Sequence, residues 1–464
     1  MRTVFTFRPK KGSQPLYVQL ADYFRNEIQE GNLQTKDFLP SIRKLNKDLK
    51  LSRTTVEKAY SILIDQGYIH NLPNRGYQVA DYVPACGKAG TVSLKKTEHT
   101  QPAVLYNFSN NYIDTSAFDT VAWRRCLNEV LRSPEQIAGY GDPQGEPVLR
   151  EVLARYSYAS RGVVCRPEQI LIGAGLQSLL MILLPLLPLV KKEVGLEAPG
   201  FPQAEQIFRL LGWQVRTYDP GDVKADWPGL LMISPANPYK GRALSEKERN
   251  NLIVATQLGR VYLLEDDYNG EFRYLHRPTP ALHSFGNREQ IIYVGSFSRT
   301  LLPSLRISYL VLPESLLPAY KAIGNQFNQT SSTMEQLTLA SYIHQGYMSR
   351  HVKKLRSVYR EKNRLLRQAL QQVFGKEASL LSYGTGLHLH IALNVPGTAV
   401  ELAQKALEHG VKVIPVRGTR PGGRPEFLLS FAGIAEDKIL DGVEKLKEAV
   451  FIKTADRRRP MDDC

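Results

Sequence analysis

Cysteine is scarce in this 464-residue sequence: Cys86, Cys126, Cys165 and Cys464 stand far apart, with no C-x-x-C pair among them. Such spacing excludes a disulfide framework and a thiolate metal centre and suits a reducing cytosol, with packing as the ordinary role of each thiol. No metal site is expected. Long apolar runs are missing too. The longest, residues 178–190 (SLLMILLPLLPLV), is broken by Pro185 and Pro188 and is too short to cross a bilayer, so it reads as a buried helix. Residues 1–8 lack the apolar core of an export signal, which makes a cytoplasmic protein without a membrane partner the expectation. There is no low-complexity tract either. With 43% hydrophobic and 23% charged residues the chain is globular, and its length calls for more than one domain.

Acidic residues are in deficit, 45 Asp and Glu against 60 Lys and Arg, giving a formal net charge of +15. Nucleic acid is therefore a candidate partner, because positive charge steers a protein to phosphates and neutralises them; a solvated basic face is the bland alternative. The excess is partly local, with 13 Lys and Arg against 7 Asp and Glu in residues 1–80.

In that segment Leu16, Val18, Leu20, Phe24 and Ile28 recur at near-helical spacing before Gly31, which predicts a first helix. Pro40 and Ser41 open a second, with Ile42, Leu45 and Leu49 inward. Ser52 caps a third over 53–67, whose expected inner face is Val56, Tyr60, Leu63 and Ile64. Residues 68–70 and 77–79 read as short strands around a turn. Three helices and a hairpin make a winged helix-turn-helix, whose third helix enters the DNA major groove. Ser52, Arg53, Thr54 and Thr55 put a guanidinium and three hydroxyls at that helix's start, where arginine reads guanine and hydroxyls hold phosphates. Ser41 and Arg43 on the second helix, and Arg75 and Gly76 at the hairpin turn, flank it. A lone arginine on a helix is usually a solvated charge; the assembly carries the reading.

The run Leu39-Pro-Ser-Ile-Arg43, then Leu51-Ser-Arg-Thr-Thr-Val56, Tyr60 to Gly67 and Arg75-Gly-Tyr-Gln-Val79 resembles the GntR family in order and spacing. That resemblance implies a double-stranded DNA operator as partner. One departure is Lys36, where the family has a glycine before the Asp of the first turn; it touches turn geometry and not readout.

Residues 81–105 show no periodicity and read as a linker. Beyond them apolar strands such as 169–172, 230–233, 261–264 and 291–294 alternate with helical stretches, the pattern of an α/β domain with a mostly parallel sheet. Helices at 359–374, 400–409 and 436–450 with strands at 387–391 and 427–431 suggest a smaller α+β subdomain. The expected division is a winged helix-turn-helix over 1–80, the linker, a large domain over 106–452 and a charged tail over 453–464.

Within the large domain, Tyr140-Gly-Asp-Pro-Gln-Gly145, Leu149-Arg150, Gly173-Ala-Gly-Leu-Gln-Ser178, Glu197-Ala-Pro-Gly-Phe201, Ser234-Pro-Ala-Asn-Pro238, Glu265-Asp-Asp-Tyr268, Gly295-Ser-Phe-Ser-Arg-Thr300 and Leu305-Arg306 follow in one order. Singly they are weak. Together they look like a fold-type I aminotransferase, and joined to a GntR-like module they resemble the MocR (GabR-like) regulators over essentially the whole chain. The resemblance implies pyridoxal 5'-phosphate: Gly175, Leu176, Ser296 and Arg306 would cradle its phosphate, Asp266 would keep its ring nitrogen protonated, and Phe201 would stack on the ring. Asn237 and Tyr268 would bond its phenolic oxygen, and Tyr140 would reach the phosphate of a neighbouring subunit, which implies a homodimer.

Two departures weigh against enzyme chemistry. The family's Schiff-base lysine stands in a Ser-Phe-Ser-Lys-Thr context, and Arg299 occupies that place here. A guanidinium stays protonated and cannot form the imine, so no catalytic residue and no covalent cofactor are expected. Leu428 aligns with the arginine that usually clamps a substrate carboxylate; Arg417, Arg420 and Arg424 lie in the preceding loop. The expectation is a transcriptional regulator whose large domain serves dimerisation and either holds a vitamin B6 phosphate or amine effector non-covalently or acts as a scaffold. The alternative is a pyridoxal-phosphate-dependent aminotransferase.

Overall fold

The computed structural model describes residues 7–9, 14–73, 75–81, 103–109, 112–197, 202–222, 227–237, 243–272, 274, 279–382, 384–416 and 423–451, and the chain falls into two compact units, 1–100 and 101–464. Most of the expected linker, all of the expected tail, and Phe201, Arg417 and Arg420 lie outside the described residues.

The small unit packs α1 (Leu16–Gln29), α2 (Ile42–Leu49) and α3 (Arg53–Asp65) with a hairpin of β1 (Ile69–Leu72) and β2 (Gly76–Val79). Its core is Leu20, Phe24, Leu45, Val56, Ala59, Tyr60, Leu63, Ile69 and Val79. Ile64, expected inward, is 38% exposed. The buried stripe of α3 is Val56, Ala59, Tyr60 and Leu63, so Ala59 completes the helical repeat and Ile64 falls just beyond it. Residue 36 has φ 73°, the left-handed region that costs a side-chain-bearing residue about 1 kcal/mol. It is held there because the Lys36 N–H donates to the Val79 carbonyl at 3.2 Å and the Lys36 carbonyl accepts from Gln78 Nε2 at 2.9 Å. The unusual residue noted in the sequence thus sits in a conformation that suits glycine.

In the large unit seven strands form one sheet. In chain order they are β3 (Ile170–Gly173), β4 (Glu193–Glu197), β5 (Gln214–Tyr218), β6 (Leu230–Ile233), β7 (Tyr262–Asp266), β8 (Ile291–Ser296) and β9 (Ser308–Val311). Their spatial order is β3-β9-β8-β7-β6-β4-β5, with only β9 antiparallel to its neighbours. Both faces are covered. Leu171, Ile292, Val294 and Leu310 pack into one core, while Ile170, Ile172, Tyr293, Tyr309 and Val311 pack into another, which is why these strands read as continuous apolar runs. Cys126 is buried in the second core, the packing role expected of it.

The C-terminal subdomain has a four-stranded antiparallel sheet of β10 (Ala378–Ser382), β11 (His388–Leu393), β12 (Ile414–Pro415) and β13 (Glu426–Ser430), in the order β10-β11-β13-β12. The helix expected at 359–374 is the second half of Tyr347–Phe374, because Met348, His351, Val352 and Leu355 extend the buried stripe upstream. The run 178–190 is not one buried helix. An α-helix over Leu176–Leu183 gives way to a 3-10 turn at Leu184–Leu186, since Pro185 cannot donate within a continuing helix; Met181 is half exposed and Val190 fully so. Among the described residues no helix is long and apolar enough to cross a membrane, and no group of three His, Cys, Asp or Glu is placed to hold a metal ion.

An internal ion pair ties the sheet to the helix Pro147–Arg161: Arg161 donates from Nε and Nη2 to Asp267 at 2.6 and 3.1 Å, and Tyr293 donates its hydroxyl to the same carboxylate at 3.0 Å. Both charged side chains are almost wholly buried. Asp267→Ala would strand the guanidinium and is expected to cost about 3–5 kcal/mol, read as a lower urea midpoint. Lys36→Gly is expected to raise the stability of the small unit by about 1 kcal/mol, read by hydrogen exchange of its core amides.

Candidate nucleic-acid interface and ligand cavity

Only three residues, Lys50, Leu51 and Ser52, separate α2 from α3, the spacing of a helix-turn-helix. Lys50 turns the chain at φ 52°. Tyr60 donates its hydroxyl to the Pro40 carbonyl at 2.8 Å, which pins α3 against the start of α2. Ser52 caps α3 by accepting from the Thr55 N–H at 3.1 Å, and its hydroxyl lies 2.9 and 2.7 Å from those of Thr54 and Thr55. Ser41 caps α2 through the Lys44 N–H. Arg53 is exposed and its Nε donates to Glu57 Oε1 at 2.7 Å one turn along, so contact with a base would exchange one partner for another. Arg43 and Arg75 are exposed, and Gly76 has φ 106° at the turn of the hairpin. Ser41 and Arg43 at the start of α2 and Ser52, Arg53 and Thr54 at the start of α3 are all exposed, and Thr55 is partly covered.

The large unit contains a cavity of about 480 Å³ at the carboxyl ends of its parallel strands, the usual position for a ligand in such a sheet. Gly175 and Leu176 follow β3, Glu197 ends β4, Ser234 and Asn237 follow β6, Asp266 ends β7, and Ser296, Ser298 and Arg299 come from the end of β8. Arg306 and Ser308 enter from the start of β9. The subdomain closes the space with His388, Ile414 and Leu428.

At one end is an anion cradle. Gly175, at φ 94°, precedes the first residue of the helix Leu176–Leu183, and a Cβ there would stand 2.7 Å from Arg306 Nη2. Arg306 Nη2 donates to the Ala174 carbonyl at 3.1 Å. Ser308 donates to the Ser296 hydroxyl at 3.0 Å, and the Ser296 and Ser298 hydroxyls are 2.7 Å apart. A helix start, an arginine and three hydroxyls suit a phosphate. Ser178, from the same sequence block, turns its hydroxyl back to the Gly175 carbonyl.

Asp266 lines the same cavity. Of three successive acids, Glu265 accepts from the Leu282 and His283 N–H groups at 2.7 and 2.9 Å and Asp267 holds Arg161, which leaves Asp266 as the one that lines the cavity. Burial, and then the negative charge of Asp267, push its carboxyl up to about 7 against a backbone hydrogen bond from Tyr268. A buried acid so raised fits a cationic partner such as a protonated ring nitrogen.

Gly175, Leu176, Asn237, Asp266, Tyr268, Ser296, Arg299 and Arg306 therefore meet in one cavity. Tyr140 stands outside it and is 89% exposed. Arg424 donates to the Ser379 hydroxyl at 3.0 Å and is not among the residues that line it. Sequence reasoning missed His388, Ser308 and Ile414. In β11 Leu389, Ile391 and Leu393 face the subdomain core, so His388 and His390 face the other way; two histidines in period two on an apolar strand were the available signal.

Residues 106–446 match the family described as aminotransferase class I and II, and residues 16–79 match the bacterial regulatory proteins of the gntR family. The chain is 34% identical over 450 residues to the uncharacterised HTH-type transcriptional regulator YdeL of Bacillus subtilis, covering 94% of this chain and 96% of that one. It is 28% identical over 479 residues to the probable rhizopine catabolism regulatory protein MocR of Rhizobium meliloti, covering 97% and 96%. A kynurenine aminotransferase of Pyrococcus horikoshii shares the fold, with a TM-score of 0.66 at 20% identity over 75% of this chain and 91% of that one. A gntR-type helix-turn-helix and a class I and II aminotransferase fold thus lie in one chain that matches such regulators almost end to end, and the protein belongs to the MocR-type transcriptional regulators of the GntR family.

Proposed function

We propose that this DNA-binding regulator responds to a ligand held in the large-unit cavity, and that the cavity takes a vitamin B6 phosphate without covalent attachment. The observation that carries the reading is Asp266, a buried carboxyl raised to about 7 in the same cavity as the cradle of Gly175, Ser296 and Arg306. When bound, such a cofactor supplies a phosphate dianion and a ring nitrogen that carries a proton against a carboxylate. Gly175 and the Leu176 N–H would receive the phosphate with Ser296, Ser298 and Arg306. Asp266 would hold the proton at the ring nitrogen, and Asn237 and Tyr268 would orient the ring through its phenolic oxygen.

Arg299 supports the non-covalent part. It lines the cavity where the sequence motif places the anchoring lysine, and no lysine is among the described residues lining it. A guanidinium offers charge and hydrogen bonds but no unprotonated nitrogen to attack a carbonyl, so steady turnover of amino donors is not expected of the protein. Tyr140, exposed on its own chain, would complete the cradle of a second copy, which makes the functional unit a homodimer. The outcome to be read is transcriptional: occupancy of the cavity alters operator affinity.

Calorimetry with pyridoxamine 5'-phosphate tests the ligand half, because this amine binds without needing an imine. Saturable binding is expected, weakened at least tenfold in Asp266→Asn; absence of binding by the wild type would contradict the reading. The sign of the pH effect follows from the raised carboxyl. Its contribution to stability is intact below an ordinary carboxylate value of about 4 and is lost as pH rises through about 7. The ligand-free Asp266→Asn protein should therefore gain Tm over wild type at pH 8, with a smaller gain at pH 5.

For the DNA half, fluorescence anisotropy over a KCl series with the operator and a random duplex separates the arginines. Arg53→Ala is expected to cost about 1–3 kcal/mol on the operator with little change on random DNA. Arg43→Ala and Arg75→Ala should weaken both duplexes and lower the salt slope by about one each. Equal losses on both duplexes for Arg53→Ala would remove it from base reading.

A further inference from the structure

His388 lines the cavity from the subdomain side. Its imidazole is 4% exposed, and among the described residues neither ring nitrogen has a hydrogen-bond partner. Native interiors rarely leave such groups unpaired, since each buried polar atom without a partner costs about 1–3 kcal/mol. The ring is placed by β11, where His388 pairs with Ser430 while Leu387 and Leu389 anchor the strand in the subdomain core. Burial first, and then the positive charge of Arg299, push it down to about 3, so it is neutral and offers one N–H donor and one lone pair. Beside it are Leu428, 1% exposed, and Ile414, paired across the sheet.

Two arginines line the cavity. Arg306 is tied to the cradle at Gly175. Arg299 is close enough for its charge to act on the His388 ring, and Glu197 and Asp266 are the carboxyl groups among the described residues that line the cavity. We propose that Arg299 and His388 form a carboxylate-binding subsite, and that the effector it admits is a small organic acid whose apolar group lies on Ile414 and Leu428. The guanidinium supplies the charge and the imidazole N–H a directed bond, a pairing that suits the two oxygens of a carboxylate. Leu428 is the one residue of β13 among the described residues lining the cavity, and it is apolar, so recognition of the acid passes from that strand to the end of β8 and to β11.

This inference rests on the cavity being the ligand site proposed above, and one pair of probes separates the two claims. Pyridoxamine 5'-phosphate and N-(5'-phosphopyridoxyl)-L-leucine share ring and phosphate; the second adds a carboxylate and an isobutyl group, and neither reacts covalently. With the full chain in calorimetry, the leucine compound is expected to bind at least tenfold more tightly. That ratio should fall to within threefold of one in Arg299→Met and in His388→Phe and be largely restored in Arg299→Lys, which keeps the charge. Arg299 is partly exposed, so its variants serve even if His388→Phe folds poorly. Binding of pyridoxamine 5'-phosphate with no preference for the leucine compound would overturn the subsite and leave the cofactor reading standing. A preference that survives both Arg299→Met and His388→Phe would place the carboxylate elsewhere and overturn it as well. Failure of both probes to bind would overturn the cofactor reading and the subsite with it.

Discussion

Three consecutive carboxyl groups at the end of β7 set the terms for the large unit. Like charges packed into a sheet interior cannot all ionise without partners, and the fold supplies partners to two of them. Glu265 receives two backbone N–H groups, and Asp267 receives the fork of Arg161 and the hydroxyl of Tyr293. Because side chains alternate along a strand, fixing the two outer acids on one side turns Asp266 to the other, into the cavity. Its raised carboxyl is the residue of that arrangement, and the site is organised around what would neutralise it. The same strand ends that place Asp266 also place Ser234, Asn237, Ser296 and Arg299, so the position of the site follows from the parallel sheet.

Legibility in the sequence differed by scale. Caps at Ser41 and Ser52 and the inward positions Leu45, Val56 and Tyr60 fixed the winged unit, because local chemistry dictates local structure there. The strands of the large sheet showed as apolar runs because both faces are buried. Errors arose where neighbours decide: Ile64 follows the helical period but falls off the covered face, and the run after Leu183 looked helical until the effect of Pro185 is counted. In the cavity, residues in chain-local blocks were legible, whereas His388 and Ile414 come from strands far along the chain that only tertiary packing brings in. Lys36 was visible as an oddity in sequence, and its left-handed backbone supplies the physical meaning.

In the reading proposed, exchange of an anchoring lysine for Arg299 changes what kind of information the cavity reports. A covalently held cofactor is a permanent part of the fold, whereas a reversibly held one has an occupancy that follows its concentration. Reversible occupancy is also what linkage requires, since a ligand shifts a conformational equilibrium only by its difference in affinity for the two states. Asp266 points the same way in that reading, because the cost of ionising its buried carboxyl would be relieved when the cavity fills and borne when it empties.

The mode of cofactor attachment is the central claim. Its most direct test is the absorption spectrum of the wild-type protein with pyridoxal 5'-phosphate, recorded before and after borohydride treatment and dialysis. The account predicts that the bound chromophore is lost on dialysis and that borohydride leaves no phosphopyridoxyl label on the chain. A dialysis-resistant chromophore that borohydride fixes to a lysine would contradict it.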